Sequence, residues 1–282
     1  MPTSPSSSAQ AARQLLADQL RELRVDAGLT GPALAKAAGW HHAKVYRIEN
    51  ARTPPSADDI RTWCRITDAN GRADDLIASL RAAEGMWVEW RRMERSGLKR
   101  AQQARLPLYE RTRQFRAYSC WTVPGLIQSE GYTRAVLRAV QQQRELHDDV
   151  EEAVAVRMER QRVLSRGGRM FAFLVEESVL RNGMGGREVM AAQLAHLAEV
   201  SSMPSVSLGV VPAGPYREVA RPVEDFWIFD SAQVNVELVS GYLTVTGPSE
   251  IAMYARTFAR LAEIAVYGRT ARDLISKAHD EL

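Results

Sequence analysis

The sequence predicts two domains of different fold class, a mainly α domain of five helices followed by an α+β domain with a small sheet. Apolar residues recur at helical spacing over residues 13–82, whereas short runs rich in β-branched and aromatic residues begin only after residue 168. The chain has 282 residues, of which 45% are hydrophobic and 25% charged. This size and composition suffice for two globular domains, each with its own core.

Five short helices are predicted in the first domain. An amphipathic first helix ends near Gly28, since glycine adopts the left-handed conformation that terminates many helices. Ser56 and Asp59 form the capping-box signature that opens the fourth helix. A last helix covers residues 72–82. The second and third helices lie between these signals.

Residues 28–54 predict two short helices joined by a tight turn. Thr30 caps the first of them through its hydroxyl, and Gly39 supplies a turn that requires positive φ. The second helix buries Val45 and Ile48 at i, i+3 spacing, which leaves its polar side chains on the outer face. These polar side chains are His41, His42, Lys44 and Arg47. The pattern predicts a probe for the DNA major groove, although an ordinary amphipathic hairpin has the same apolar spacing.

The pattern extends on both sides of this pair. It runs through Leu20, Leu23-Arg24, Gly28-Leu29-Thr30, Leu34-Ala35, Gly39, Val45, Ile48-Glu49 and Arg52-Thr53-Pro54. In this order and spacing the chain resembles the Xre/Cro–CI family of helix-turn-helix DNA-binding domains over roughly residues 15–81. The resemblance implies base contacts from the start of the recognition helix and a phosphate contact at the preceding helix. The residues implied in DNA binding are Thr30, Gly31, His41, His42, Ala43, Lys44, Arg47 and Arg52.

Gly31 departs from the family pattern. The family often has glutamine at this position, where the side chain binds a phosphate. With glycine there, only the backbone N–H groups at the helix N-terminus are left for that contact.

Basic residues are concentrated just after the first domain. The formal net charge is +1 over residues 1–80, +6 over 81–120 and −4 over 121–282. We interpret 83–120 as a basic helical linker whose charges form a solvated face. Alternatively, five of its cations contact flanking phosphates or an acidic partner: Arg91, Arg92, Lys99, Arg100 and Arg105. Residues 1–12 are rich in serine and proline and predict a disordered tail.

Residues 121–282 predict the α+β domain. The predicted helices cover 148–165, 187–201 and 248–266, followed by a short tail helix. The predicted strands cover 169–176, 205–211, 223–229 and 235–239. A further amphipathic helix is expected around Tyr109, Phe115 and Tyr118, within the linker.

A second series of residues spans this region. It comprises Tyr109-Glu110, residues 123–134 (VPGLIQSEGYTR), Arg157, Arg160-Gln161, Phe173, Glu176-Glu177, Leu180-Arg181, Gly185-Gly186, Gln193-Leu194, Val210-Val211-Pro212 and Val236-Glu237. The series is similar to the C-terminal domain of WhiJ-like actinobacterial regulators, with Ile127 and Ser129 as mild departures. The resemblance implies a regulator tied to development and secondary metabolism, often encoded beside a small BldB-like partner protein. A regulatory or partner-binding role for residues 121–282 follows from it.

The sequence predicts no catalytic site, cofactor or metal site. His147-Asp148-Asp149 begin a helix, where adjacent side chains point in different directions, and residues 182–186 lack the frame of a phosphate-binding loop. A ligand or partner pocket is predicted from Tyr132, Arg157, Arg160, Glu176 and Arg181, with a purely structural polar network as the alternative.

Targeting signals are not evident in the sequence. No apolar run approaches the roughly 18 residues of a membrane span, and the N-terminus does not resemble a signal peptide. Cys64 and Cys120 do not suggest a disulfide framework. We therefore expect a cytoplasmic, nucleoid-associated protein without a membrane partner.

These observations predict a sequence-specific transcriptional regulator that binds double-stranded DNA. One recognition helix reads few base pairs, so a homodimer is expected. Modulation by a small partner protein is expected through the C-terminal domain. Two alternatives stay open: a ligand-sensing or cryptic enzymatic C-terminal domain with DNA binding as its output, and an antitoxin-like protein that represses its own operon.

Overall fold

A computed structural model describes residues 7–85, 87–89, 97–214, 217, 221–239 and 241–282. The chain divides into two units. One comprises Met1–Val88 with Leu243–Val245, and the other comprises Glu89–Tyr242 with Thr246–Leu282. Within the described part of the chain, no helix combines the length and the apolar character that crossing a membrane requires.

The described residues of the N-terminal unit form the five predicted helices. These are α1 (Ser7–Asp26), α2 (Gly31–Ala38), α3 (His42–Glu49), α4 (Ala57–Ile66) and α5 (Ala73–Gly85). A 3-10 turn, Asn70–Arg72, precedes α5, and a short strand β1, Trp87–Glu89, follows it. Helix α1 begins inside the segment expected to be a disordered tail, because alanine and glutamine in this stretch have good helix propensity. Residues 1–6 of that tail lie outside the described residues.

Local capping interactions set the boundaries of the central helices. The Thr30 hydroxyl accepts a hydrogen bond from the backbone N–H of Ala33 at 3.3 Å, which opens α2. Gly39 ends α2 in the left-handed conformation, with φ of 70°. Helix α4 begins with a complete capping box, in which Ser56 and Asp59 each accept a hydrogen bond from the backbone N–H of the other.

The core of this unit is formed by apolar side chains from all five helices. Its buried members are Leu16, Leu20, Leu34, Ala35, Val45, Ile48, Ile60, Trp63, Cys64, Leu76, Ile77 and Leu80. Helices α2 and α3 therefore share one core with the helices before and after them, and this shared core holds the pair in place.

Strands β2 to β6 lie in one mixed sheet, in the order β6-β5-β2-β3-β4. The strand bounds are β2 (Gln114–Ser119), β3 (Met170–Glu176), β4 (Val206–Val211), β5 (Phe226–Phe229), β6 (Gln233–Glu237) and β7 (Gly241–Val245). Strands β2, β3 and β4 are parallel, whereas β5 is antiparallel to both β2 and β6. The predicted α+β class is confirmed.

Helices flank this sheet. They are α6 (Leu98–Gln103), α7 (Leu106–Arg111), α8 (Glu130–Gln143), α9 (Val150–Gln161), α10 (Arg187–Val200), α11 (Pro248–Ile264) and α12 (Gly268–Asp280). The 3-10 turns Arg162–Ser165 and Glu177–Leu180 follow α9 and β3. Helix α9 packs against α6 and α8, and α10 packs against α8 and α12.

Strand β2 corrects the prediction of a helix around Phe115 and Tyr118. Both side chains are fully buried although they project from opposite faces of the sheet, so β2 is covered on both faces. A strand covered on both faces lacks the alternation of polar and apolar residues by which strands are recognised. Residues 114–119, expected in a helical linker, therefore belong to the sheet. Arg91 and Arg92 of that linker lie outside the described residues.

Candidate nucleic-acid interface and C-terminal cavity

Helix α3 presents its polar residues on the face opposite the N-terminal core. Val45 and Ile48 are 1% and 2% exposed, so they fix which face of the helix points inward. His41, His42 and Arg47 are exposed. Their side chains are therefore accessible to a duplex laid along this face.

The two histidines stand together at the N-terminal end of α3. His41 is the N-cap residue, and its Nδ1 accepts a hydrogen bond from the backbone N–H of Ala43 at 3.3 Å. In a neutral imidazole with Nδ1 as acceptor, Nε2 carries the proton and can donate. The rings of His41 and His42 lie 4.2 Å apart between centroids. The start of α3 thus offers a compact pair of imidazoles with a free donor.

Lys44 is held within the N-terminal unit. Its Nζ lies 2.6 Å from Oδ1 of Asp59 on α4 and 4.4 Å from the ring centroid of Trp40. Burial raises the pKa of Asp59, but hydrogen bonds from Lys44 and Ser56 outweigh this and hold it below its usual value. Lys44, predicted to contact DNA, therefore links α3 to α4, and Arg47 is the exposed cation of α3.

Tyr46 is a surface residue that was not among the predicted DNA contacts. Its side chain is 54% exposed, and the guanidinium of Arg52 lies 5.3 Å from its ring centroid. The backbone N–H of Arg52 donates to the Arg47 carbonyl at 2.8 Å, which places Arg52 beside α3. Tyrosine hydroxyls contact phosphates and sugars in many protein–DNA complexes. The sequence signal that could have identified Tyr46 is its place between Val45 and Arg47, on the outer face of α3.

The N-terminus of α2 offers fewer backbone donors than the sequence suggested. Pro32 has no N–H, and the N–H of Ala33 is already bound to the Thr30 hydroxyl. The N–H of Leu34 donates to the Thr30 carbonyl at 3.0 Å. The backbone N–H of Gly31 is the donor left at this end for a phosphate.

An ion pair joins α1 to α3. Nε of Arg24 lies 2.5 Å from Oε1 of Glu49, and a second guanidinium nitrogen lies 3.0 Å from Oε2. The third nitrogen donates to the Leu29 carbonyl at 2.7 Å. The two side chains are only 13% and 11% exposed, and the hydrogen bond to Glu49 raises the pKa of Arg24. This bidentate pair fixes the position of α3 on α1.

The C-terminal unit contains a cavity of about 270 Å³. Its lining combines charged and amide side chains with apolar and aromatic ones. The first group comprises Gln102, Arg105, Gln128, Arg144, Arg157, Arg160, Asp225 and Glu237, and the second comprises Leu98, Tyr109, Trp121, Val123, Val136, Leu137, Val140 and Trp227.

Two arginines of α9 enter this lining from the same helix face. Arg157 and Arg160 are three residues apart, which places them on neighbouring turns. The amide oxygen of Gln102 accepts from Arg157 Nε at 3.3 Å and from an Arg160 guanidinium nitrogen at 3.1 Å. The amide oxygen of Gln128 accepts from Arg157 at 3.1 Å. The Arg160 guanidinium also lies 4.6 Å from the ring centroid of Tyr109.

The two acidic residues of the cavity form hydrogen bonds with other groups than Arg157 and Arg160. Glu237 accepts from Arg105 at 3.0 Å, and its pKa is lowered because Arg105 and Arg157 outweigh the effect of burial. Asp225 accepts hydrogen bonds from the Cys120 backbone N–H at 2.7 Å and from its thiol at 3.2 Å. Burial raises the pKa of Asp225 to about 6.

The five residues predicted to form a pocket are distributed over three places. Arg157 and Arg160 line the cavity. Tyr132 supports its wall, since the Val123 backbone N–H donates to the Tyr132 hydroxyl at 3.2 Å. Glu176 instead binds Tyr118 and Arg217, and Arg181 pairs with Glu177 and Glu281 at 2.9 and 2.8 Å.

The part of the chain that the structure describes contains no evident metal-binding site. No group of three or more histidine, cysteine, aspartate or glutamate side chains is placed there to hold a metal ion. Both cysteines are free thiols, and burial and Asp225 raise the pKa of Cys120 to about 12. A thiol with such a high pKa is a poor nucleophile at neutral pH.

Comparison with known proteins assigns both units. Residues 103–277 match the model of a domain of unknown function, DUF5753, and residues 15–80 match the model of a helix-turn-helix domain. No curated protein matches this chain in sequence. Among solved structures, the archaeal chromatin protein TrmBL2, described as showing a novel mode of DNA binding, is 11% identical with a TM-score of 0.32. That alignment covers 85% of this chain and 88% of TrmBL2. A TM-score this low does not establish a common fold.

Proposed function

Because the chain belongs to the DUF5753 family and carries a helix-turn-helix domain before that region, we propose that it is a sequence-specific transcriptional regulator of the Xre type. The outer face of α3 is the observation that carries the proposal. Its apolar residues are buried, while His41, His42 and Arg47 are exposed. Helix-turn-helix domains place such a face in the major groove, where arginine can bind guanine O6 and N7 together.

The finer parts of the proposal concern partners and biological role. The similarity of residues 123–134 and 157–161 to WhiJ-like regulators supports a role in development or secondary metabolism, and modulation by a small BldB-like partner protein. A homodimer accounts for operator recognition, since one short helix reads too few base pairs. In this proposal the protein acts on DNA in the nucleoid and performs no catalysis.

Replacing Arg47 with alanine tests the recognition face. We expect a loss of about 1–3 kcal/mol in affinity at one base position and relaxed specificity there, because the bidentate contact is removed. Operator sequences selected from random DNA by the full-length protein and by the variant, followed by anisotropy titrations at fixed salt, measure both effects. Arg65→Ala, an exposed arginine on α4, is the matched control. An unchanged sequence preference for Arg47→Ala would remove α3 as the reading helix.

Modulation by a protein partner requires a complex. The partner proposal predicts that a small protein encoded nearby co-purifies with this chain and changes its affinity for the operator. Size-exclusion chromatography of the two purified proteins at micromolar concentration measures the first effect, and anisotropy measures the second. Separate elution of the two proteins rejects this part while leaving DNA binding intact.

Ligand sensing by the C-terminal domain is a second candidate function. It is favoured by the cavity of about 270 Å³, into whose lining α9 brings two buried arginines. Cavities that combine an apolar lining with a few convergent polar groups are typical of ligand sites.

A further inference from the structure

Two buried cations of α9 have no acidic partner within hydrogen-bonding distance among the described residues. Arg157 and Arg160 are 9% and 5% exposed, and their hydrogen bonds go to the neutral amides of Gln102 and Gln128. Nε of Arg160 is buried and donates to no acceptor in the described part of the chain. Burying a guanidinium in this way is costly unless an anion compensates it.

Neither carboxylate of the cavity forms a hydrogen bond with Arg157 or Arg160. Glu237 is bound to Arg105 at 3.0 Å, and Asp225 is bound to the backbone and thiol of Cys120. Glu237 also attracts Arg157 and Arg160 through space, but its one negative charge is shared among these two arginines and Arg105. The lining therefore contains four arginines and two carboxylates, and neither carboxylate occupies the hydrogen-bonding positions of the α9 pair.

Much of the rest of the lining is apolar, which indicates that a compensating anion would also have an apolar part. Leu98, Val136, Leu137 and Val140 line the cavity with aliphatic surface, and Trp121 and Trp227 add aromatic rings. Trp121 is 70% exposed, so part of the lining reaches the surface. A volume of about 270 Å³ lies just below the range of roughly 300–1,000 Å³ typical of ligand sites, which favours a small metabolite.

We propose that this cavity binds a small organic anion, whose carboxylate or phosphate group accepts hydrogen bonds from Arg157 and Arg160 and whose apolar part contacts the aliphatic and aromatic lining. The planar guanidinium fork suits both head groups. Gln102 and Gln128 hold the two forks in place for the anion. The inference deepens the ligand-sensing candidate, and it is testable without DNA, so it can fail while the DNA-binding proposal stands.

Calorimetric titration and thermal unfolding of the full-length protein test the proposal. The probes are phenylacetate, phenyl phosphate, neutral phenylacetamide and inorganic phosphate, at constant ionic strength with chloride as the balancing ion. We expect one of the two aromatic anions to bind at least tenfold more tightly than phenylacetamide and to raise the unfolding temperature. The aromatic anion that binds more tightly identifies the head group, and weaker binding of inorganic phosphate shows that the apolar part contributes. Equal binding of phenylacetamide, or no response to either aromatic anion at 10 mM, overturns the proposal.

Variants at position 160 separate binding from structure. Arg160→Met removes the charge but keeps a side chain of similar length, and we expect it to bind the anion at least tenfold more weakly. In the absence of anion, we expect its unfolding temperature to be no lower than that of the native chain. Arg162→Met is the control, because that side chain is 73% exposed beside the end of α9. If Arg160→Met fails to fold, Arg160→Lys decides: it keeps the charge and loses the fork, so binding weakens. Unchanged anion binding in the folded variant assigns Arg160 a structural role only and rejects the proposal.

Discussion

Ion pairs away from the outer face of α3 hold this helix in position. Arg24 and Glu49 form a nearly buried bidentate pair between α1 and α3, and Lys44 joins α3 to Asp59 of α4. Sequence spacing identified the outward side chains of α3, because apolar residues at i, i+3 define the inner face. Spacing along one helix does not show which cation meets a carboxylate of another helix, so the pairing of Lys44 with Asp59 could not be predicted.

Removing the Arg24 side chain measures the contribution of the buried pair. We expect Arg24→Ala to lower the free energy of unfolding of the N-terminal unit by about 2–3 kcal/mol, because Glu49 keeps a nearly buried charge without its partner. Arg21→Ala changes an exposed arginine on the same helix and should cost less than about 0.5 kcal/mol. Chemical denaturation of both variants gives the values. Equal stability of the two would show that the pair contributes nothing to holding α3.

Asp225 makes the stability of the C-terminal unit depend on pH. Burial raises its pKa to about 6, whereas the unfolded chain titrates near 3.9. The folded state therefore binds the proton more tightly, and stability falls as pH rises from about 4 to 6. Asp225→Asn keeps an acceptor for the Cys120 N–H and removes this titration.

Denaturation of both proteins between pH 4 and pH 7 isolates that effect. The free energies of unfolding of the two proteins should be nearly equal at pH 4, and the native chain should be about 3 kcal/mol less stable than Asp225→Asn at pH 7. Groups that titrate equally in both proteins cancel in the difference. A difference that does not change with pH contradicts the raised pKa.

At the level of elements, the N-terminal helices were more predictable than the C-terminal sheet. Thr30, Gly39 and the Ser56–Asp59 capping box are local signals, and each marks a helix boundary in the structure. Strand β2 carries no such signal, because its burial results from pairing with strands more than fifty residues away. The same limit applies to the cavity. Gln102 reaches Arg160 across 58 residues of sequence, and no spacing rule links them.

The turn between α2 and α3 offers a clean test of backbone conformation. Gly39 has φ of 70°, and a Cβ added there would meet no atom within 4 Å. We therefore expect Gly39→Ala to lower the free energy of unfolding by about 1–2 kcal/mol through the left-handed backbone alone. Gly71→Ala is the matched control, since its Cβ also meets nothing within 4 Å and its φ is not positive. Thermal unfolding of both variants measures the difference, and equal stabilities would mean that the turn relaxes without cost.

For the whole molecule, the proposed DNA-reading face and the proposed ligand cavity lie in different units. The exposed residues of α3 belong to the unit that contains Met1–Val88, and every residue lining the cavity belongs to the unit that contains Glu89–Tyr242. The sequence predicted an α+β domain over residues 121–282, whereas the sheet already includes residues 114–119. Because the formal net charge is only +3, general attraction to DNA is weak, and the proposed homodimer would supply specific contacts from two copies of α3.

The spacing of half-sites tests whether two copies bind together. Two α3 helices related by a two-fold axis read half-sites whose centres lie about 10–10.5 base pairs apart or at a multiple of that distance. Inserting about 5 base pairs between the half-sites turns one of them to the opposite side of the duplex, since one helical turn is about 10.5 base pairs. We expect that insertion to weaken binding of the full-length protein at least 100-fold. An insertion of about 10 base pairs returns both half-sites to the same side of the duplex and should weaken binding less than the 5-base-pair insertion does. Anisotropy titrations with the three duplexes give the ratio, and mass photometry counts the chains bound. One chain per duplex, with affinity indifferent to the 5-base-pair insertion, would mean that the protein reads its operator as a monomer.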